Sequence, residues 1–433
     1  MGDQVNTSEA KNKMLLSFKT ELKPNNRQMT QFRQHCGVAR HAYNFGNAII
    51  LDILKQRETD KSVKVPNAID LHKRLIAEIK PSNPWYYESS KASPQQALAE
   101  VRTAWDRCFK KVSAQPRFKK KGKSKDSFYL EQGTKAKPAI RNDGKRIKLP
   151  KIGWVLLHET LPISAVHNCV ISRQADSWFV AIKYEVEKPA VPANRPSVGV
   201  DIGIKELAVT SDGKVFPNPK AYRKMSKKMK YLQRSVSRKV KGSKNRLKAI
   251  RLLGRHHAKI GNIRKDAIHK LTNHIAKNHS IVKIEDLHIK AFLKNHKLAG
   301  AIADCGMYEF KRQLEYKTEK FSSQLILVDR FFPSSQICSG CHVHRHKMPL
   351  KSRTYHCPEC GHTEDRDLNA AKNIERWFEG IHIPIRSDPT VSSTLIACGA
   401  DKPLKSHLET ALKQEVSIET INVHLSLDLG SFG

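Results

Sequence analysis

The chain has 433 residues, 39% of them hydrophobic, and carries a formal charge of +37 from 78 Lys and Arg against 41 Asp and Glu. That length calls for two to four units rather than one domain. A surplus of positive charge this large repels itself in a compact fold unless a polyanion neutralises it, so nucleic acid is the expected partner. No apolar run approaches the ~20 residues of a membrane helix, and Met1 to Lys13 lacks the apolar segment of a signal peptide. Nine cysteines, four of them in metal-ligand spacing, suit a reducing compartment better than a disulfide framework. A cytoplasmic, nucleoid-associated protein with no membrane contact is expected.

In chain order, apolar and polar residues alternate through 14–23, which predicts a strand closed by Pro24-Asn25-Asn26. From Thr30 to about Arg57 the period turns helical, with Phe32, Cys36, Ala39, Tyr43 and Ile50 on one stripe. A second helix is expected over Leu71–Ile79. Ser93-Pro94 then reads as an N-cap with proline at the first helical position, opening a helix to about Val112. Its apolar stripe is Leu98, Val101, Trp105 and Phe109.

Pro116-Arg117-Phe118-Lys119-Lys120-Lys121 breaks that pattern. Cations around an aromatic ring suit a loop lying on phosphates with Phe118 stacked on a base. A solvated loop anchored by Phe118 accounts for it equally. Residues 127–188 read as strands, and 187–196 as a proline-rich linker. Val198–Gly203 is a buried-looking strand, followed by Leu207–Thr210, the hairpin signal Asp212-Gly213 and Lys214-Val215-Phe216. Residues 220–278 are long, cationic and helical, interrupted near Gly242. Strands follow at 281–284 and 325–328, so this part is α/β. Beyond Arg376 periodic signals fade. A weakly ordered tail from about 380 is expected, with a short helix near Leu408–Leu412.

Cys338-Ser339-Gly340-Cys341 and Cys357-Pro358-Glu359-Cys360 form two C-x-x-C knuckles, four soft thiolates able to close a tetrahedron around a structural zinc ion. His342, His344, His346, His356 and His362 crowd them, and Lys347, Lys351 and Arg353 make the intervening loop basic.

Three acids stand in strand or helix-end contexts. Asp201 lies in an apolar strand, where a carboxylate is costly unless paired or bound to a cation. Glu285 ends the strand at 281–284, and Asp367 follows the second knuckle at the start of a helix. If the three converge they can hold two Mg²⁺ ions for phosphodiester chemistry. Each also has a plain reading: a turn cap, a surface acid and a helix N-cap. Asp365 is the alternative for the third position. The cations Lys220, Arg223, Lys224, Lys227, Lys228 and Lys230 stand in a stretch almost without acids, which suits a helix wrapped by RNA.

Taken together these stretches resemble TnpB, the transposon-associated nuclease family related to type V CRISPR effectors. Val198–Gly203 resembles its first RuvC motif, Lys283-Ile284-Glu285-Asp286-Leu287 the second, and Asp365–Ile374 the third, with the catalytic aspartate on Asp367. Pro333–Gln336, Gln95–Leu98, Pro116–Lys121 and Ile263–Lys270 fit as well, so the resemblance covers about residues 14–377. It departs at His356, where an aromatic residue is usual, and at His342, where glycine is common.

What the resemblance implies is a multidomain α/β and α+β protein. A wedge-like β-barrel (1–29 and 116–190) is split by a helical recognition domain (30–115). A ribonuclease H-like RuvC core (191–332 and 365–378) bears a zinc-ribbon insertion (333–364), and a tail spans 379–433. It also implies an RNA-guided, Mg²⁺-dependent DNA endonuclease. The guide RNA comes from the transposon end, and the double-stranded target is cut beside a short flanking motif. Asp201, Glu285 and Asp367 are then the catalytic, Mg²⁺-binding residues and Cys338, Cys341, Cys357 and Cys360 bind zinc. Gln95, Gln96, Arg117 and Lys119 are candidate contacts to the flanking DNA or the guide. A monomer is slightly favoured over an oligomer.

Four other readings compete. A nuclease-inactive RNA-guided repressor would have lost an acid, and all three are present. An actin-like or sugar-kinase ATPase needs glycine-rich phosphate loops that are missing. A strand-joining transposase is compatible with the acids. A non-catalytic zinc-ribbon RNA-binding protein leaves Asp201 in an apolar strand unexplained.

Overall fold

The computed structural model describes residues 13–134, 137–161, 166–192, 194–344 and 352–378. The expected tail, its short helix, and His346, Lys347 and Lys351 lie outside these. The described residues divide into two compact units, one spanning Leu15–Val186 and the other running from Glu187 on and including Lys13 and Met14. Among them no helix is long and apolar enough to cross a membrane.

The unit before Glu187 begins with β1 (Lys13–Lys23), continues through α1 (Asn26–Thr59) and α2 (Ala68–Arg74), and passes a wider π turn at Leu75–Ile79 and a 3-10 turn at Pro84–Glu88 to α3 (Ala92–Phe109). Strands β2 (Ser127–Glu131), β3 (Arg141–Asn142), β4 (Arg146–Leu149), β5 (Gly153–Leu157), β6 (Val166–Gln174) and β7 (Ser177–Glu187) complete it. The seven strands form one sheet in the order β2-β6-β7-β1-β5-β4-β3, so the helices are inserted between the central β1 and the edge strand β2. Helix α1 starts four residues ahead of its apolar periodicity because Asn25 and Gln28 form a capping box. The Asn25 side chain accepts from the Gln28 N–H at 2.9 Å and the Gln28 side chain from the Asn25 N–H at 3.0 Å. Phe32 packs edge-on to Trp178 at 5.0 Å between ring centres and joins α1 to the sheet.

Two readings of α3 are corrected. Ser93 is not its N-cap: the hydroxyl is buried and donates to the Tyr129 carbonyl at 2.9 Å, tying α3 to β2. Phe109 leaves the apolar stripe at the frayed end of the helix and is 44% exposed, while Leu98, Val101 and Trp105 are buried.

The unit after Val186 is α/β. Its sheet has the order β10-β9-β8-β11-β12, from β8 (Ser197–Asp201), β9 (Glu206–Thr210), β10 (Val215–Pro217), β11 (Ile281–Glu285) and β12 (Gln324–Val328). Strands β8, β11 and β12 run parallel, and β9 and β10 return as an antiparallel meander. Gly213 turns that hairpin at φ +84°, a conformation that favours glycine. A helical hairpin, α4 (Ala221–Ser237) and α5 (Lys244–Asn278), crosses between β10 and β11, and α6 (Ile289–Leu293), α7 (Ala299–Cys305) and α8 (Met307–Lys320) between β11 and β12. The short hairpin β13 (Thr354–His356) and β14 (Thr363–Asp365) leads into α9 (Arg366–Arg376).

Alternation sorts the two faces of this sheet. Val198, Val200, Val282 and Ile284 point into a core with Ile268, Leu271 and Ile275 of α5 and Phe310 and Leu314 of α8. The opposite face carries Gly199 and meets the backbone of α9. The three acids sit on that second face.

A candidate carboxylate centre beside a four-cysteine finger

Asp201 is the last residue of β8 and Glu285 the last of the neighbouring parallel strand β11. In the pairing register Val198, Gly199 and Val200 lie beside Val282, Lys283 and Ile284, so the two acids end adjacent strands side by side. Parallel strands place their carboxyl ends at one edge, where α/β folds build sites. Asp367 comes to the same edge from the first turn of α9. Asp365 is the N-cap of that helix, its side chain accepting from the N–H groups of Asp367 (2.9 Å) and Leu368 (3.2 Å). The alternative third acid is thereby occupied as a cap, and Asp367 is left beside the other two.

Electrostatics register the convergence. Burial, reinforced by the charges of Glu285 and Asp367, pushes the Asp201 carboxyl up to about 8, against partial relief from Arg366 and the Ile202 N–H. Burial also raises Glu285, and a 2.6 Å hydrogen bond donated by the Ser334 hydroxyl partly offsets it. Arg353 approaches Asp367 at 3.8 Å. Asp286, next to Glu285, faces two cations, Arg330 at 2.5 Å and Lys311 at 3.1 Å. Burial alone would raise its carboxyl, but their hydrogen bonds and charge hold it below the ordinary value. Asp286 is thus a structural anion, whereas Asp201 and Glu285 form a half-buried acidic pair whose mutual repulsion a cation would relieve.

The four cysteines gather as their spacing predicts. Their Sγ atoms all lie within 4.8 Å of one another, with Cys338 and Cys360 at 3.7 Å and Cys341 and Cys357 at 3.6 Å. A disulfide needs about 2.05 Å, whereas sulfurs at ~2.3 Å from a tetrahedral ion stand ~3.8 Å apart. The donor set therefore fits a closed metal site. His342 turns the first knuckle at φ +62°, which gives a physical reason for the glycine common there. His356 bonds Thr363 at 2.9 Å, and His362 contacts the Ser339 hydroxyl at 3.1 Å.

Finger and carboxylates are fastened together by α9. Its buried Asn369 donates to the Ile337 carbonyl (2.8 Å) and accepts from the Ser339 N–H (2.9 Å). Asn373 donates to the carbonyls of Ser334 (2.8 Å) and Ile337 (2.7 Å). The same loop thus reaches Glu285 through Ser334 and opens the first knuckle at Cys338. Ser334, Asn369 and Asn373 were not singled out from sequence. Their signal was membership of the stretches Pro333–Gln336 and Asp365–Ile374 that carry the family resemblance, which gave them no individual role.

The cationic candidates are placed as follows. Arg223, Lys224, Lys227, Lys228 and Lys230 are exposed on α4, and Lys220 is half-buried just ahead of it. Lys220 adopts φ +47° and gives no side-chain cap. Instead, buried Asp304 of α7 accepts from the N–H groups of Tyr222 (3.0 Å) and Arg223 (3.4 Å). In the other unit, Gln95 is exposed and Gln96 half-buried in the first turn of α3, and Arg117 is exposed. Lys119 is engaged within the protein: its ammonium lies 3.2 Å from Glu100 and 3.9 Å from the centre of the Tyr43 ring. Phe118 is exposed rather than anchored in a core.

The class these features define is an α/β protein with a carboxylate cluster and a four-cysteine finger able to hold a metal ion. A cryo-EM structure of a Cas12f1–sgRNA–target DNA complex shares the fold, with a TM-score of 0.53 at 16% identity over 79% of this chain and 82% of that one. A family model described as a probable transposase, OrfB of IS605 type, matches residues 181–296, and one for a Cas12f1-like TNB domain matches 308–374. A third, for a helix-turn-helix domain, matches 14–59, although here those residues form β1 and the single long helix α1. A protein of Streptomyces pristinaespiralis, provisionally named an RNA-guided DNA endonuclease, is 39% identical over 293 residues, 66% of this chain and 71% of the relative. The Escherichia coli (strain K12) protein InsQ, named in the same way, is 32% identical over 381 residues, 84% of this chain and 92% of the relative. The chain belongs to the TnpB family, the OrfB proteins of IS605-type transposons.

Proposed function

We propose that the protein is a guide-RNA-dependent, Mg²⁺-dependent DNA endonuclease that cuts double-stranded DNA beside a short flanking motif. The observation that carries this reading is the meeting of Asp201, Glu285 and Asp367 at one sheet edge, with Asp201 half-buried among like charges. Membership of a family whose members are named RNA-guided DNA endonucleases supports it, as does the charge of +37.

The donor set fits divalent cations: hard carboxylate oxygens, partly desolvated, with mutual repulsion that a cation relieves. Asp201, Glu285 and Asp367 would hold two Mg²⁺ ions, which when bound supply an activated water and charge stabilisation for the leaving oxygen of a phosphodiester. The chain's own part is positional. Ser334 orients the Glu285 carboxylate and Asp365 fixes the helix start that carries Asp367. Arg330 and Lys311 neutralise Asp286 so that it adds no further charge to the centre. Cys338, Cys341, Cys357 and Cys360 hold zinc, the ion their soft, closed tetrahedral set suits.

The sheet unit after Val186 is read as the RuvC-like, ribonuclease H-like core with the finger inserted at 333–364. The unit before it is read as a wedge-like barrel around a recognition domain at 30–115. The exposed cations of α4 would follow the phosphates of the guide, and Gln95, Gln96, Arg117 and Lys119 would face the flanking DNA or the guide.

Strand joining uses the same carboxylate chemistry, and one family description names a transposase, so the test must separate the two. Purify the protein expressed with its native flanking DNA, sequence the bound RNA, and incubate the complex with Mg²⁺ and a plasmid library bearing the matching target beside randomised flanks. A discrete RNA and linear plasmids with free ends, restricted to certain flanks, are expected. Joined products without a bound RNA would establish the transposase instead.

A further inference from the structure

We propose that Lys283 is a positioning residue that sets where α9 lies along the sheet, and so where Asp367 stands against Asp201 and Glu285; this rests on the carboxylate reading above. Lys283 lies two residues before Glu285 on β11, so the two side chains leave the same face of the strand. That face meets α9. The Lys283 ammonium donates to the carbonyls of Glu375 and Trp377, each at 2.6 Å. These are carbonyls of the last helical turn and its C-cap, groups left without helical partners. A cation at a helix C-terminus is also favoured by the helix dipole.

The register explains why this one lysine controls position. Lys283 pairs with Gly199 on β8. A Cβ at Gly199 would stand 2.1 Å from the Ala371 carbonyl oxygen and 2.4 Å from the Glu375 nitrogen. Glycine thus lets the helix backbone touch the sheet where Lys283 reaches its end. Ser197, two residues earlier on the same face of β8, donates to the Glu375 carboxylate at 2.6 Å. The C-terminal turn of α9 is therefore pinned from both strands. Asp367 lies about 12 Å up the same rigid helix at 1.5 Å per residue. Asp201 and Glu285 lie two residues beyond Gly199 and Lys283 on those strands. Pinning one end of a straight helix against two strands fixes its other end relative to the ends of the same strands. Without the ammonium, the C-terminal turn keeps only shape and Ser197 against the sheet, while Asn369 and Asn373 tie the helix to the 334–339 loop rather than to the strands.

The test uses full-length Lys283→Met and Lys283→Arg with Asp201→Ala as reference, each with its guide RNA. Mn²⁺ affinity is measured by electron paramagnetic resonance, alongside melting temperature and guided cleavage. Lys283→Met is expected to bind Mn²⁺ about tenfold or more weakly, the range found when groups that orient metal ligands are removed, and to cut correspondingly slowly at limiting metal. Lys283→Arg, which keeps a donor cation, should recover most of both. Gly199→Ala should weaken Mn²⁺ binding in the same direction by displacing the helix from its other side. If Lys283→Met binds Mn²⁺ like the unaltered protein while Asp201→Ala does not, the positioning role is wrong and the carboxylate centre stands. If Lys283→Met only lowers the melting temperature, Lys283 is merely structural and the proposal is again overturned. If Asp201→Ala binds Mn²⁺ normally, the carboxylate reading itself fails.

Discussion

Asp201 sits where folding makes its own charge expensive, and this has a measurable pH signature. Its carboxyl is pushed from an ordinary 3.8 up to about 8 by burial and by its two acidic neighbours. Between those values the folded state keeps a proton that the unfolded chain has released, so this group makes the metal-free protein less stable as pH rises. A bound cation replaces that proton. The apparent affinity for Mn²⁺ is therefore expected to rise by up to about tenfold per unit between roughly pH 6 and pH 8, and to flatten above. In Asp201→Asn, which cannot titrate, calorimetric titration should find weak binding with much less pH dependence. A wild-type affinity independent of pH would mean that the proton and the metal do not compete at Asp201.

Residues whose chemistry is local were legible in the sequence. Cys338, Cys341, Cys357 and Cys360 announced themselves because C-x-x-C spacing alone brings two sulfurs together. Asp201 stood out by its apolar surroundings. What spacing could not give was convergence, because Asp201, Glu285 and Asp367 meet only through the parallel pairing of β8 with β11 and the seat of α9 over Gly199. Ser93 misled because a serine before Pro94 looks like a cap, whereas its hydroxyl found the Tyr129 carbonyl in another element.

Among the elements, α9 serves three purposes within eleven residues: acid, loop clamp and sheet contact. Its Asp365 and Asp367 were read as rivals for one role, and helix geometry separates them into the cap and the acid that stands beside Asp201. The start of α1 was missed because Asn25 and Gln28 cap it through polar groups that hydrophobic periodicity does not register. The finger is the element whose stability is expected to depend on a bound ion. Cys357→Ser leaves three thiolates, and retention of zinc is expected to weaken by at least about tenfold, with a lower melting temperature. Metal analysis of the purified variant checks this, and full zinc content would exclude Cys357 as a ligand. Helix α4 offers a different test. Replacing Arg223, Lys224, Lys227 and Lys228 together by Ala should weaken guide RNA binding and reduce the log–log salt slope by up to about 3, since each phosphate contact on a single strand contributes roughly 0.7. Filter binding across a salt series measures it. An unchanged slope would place the guide elsewhere.

At the scale of the whole molecule, composition was informative about partners and silent about chemistry. The charge of +37 pointed to nucleic acid, but an inert binder would show it too. The proline-rich stretch at 187–196 coincides with the point where the two units part, because proline cannot continue a ladder and favours an extended link. The seven-stranded order β2-β6-β7-β1-β5-β4-β3 was not legible, since it depends on pairings across more than a hundred residues. The proposed catalysis, by contrast, hangs on a single place in the second unit.

Guided cleavage by the Asp201→Ala complex therefore tests the central claim most directly. The complex is purified with its guide RNA, shown to bind its target, and incubated with Mg²⁺ and a matching plasmid beside a permissive flank. The expected result is intact guide and target binding with cleavage reduced by about 10³-fold or more, as when a catalytic group that acts as part of a unit is removed. Cleavage at the unaltered rate would contradict the account, since the chemistry would then reside outside the carboxylates at the edge of this sheet.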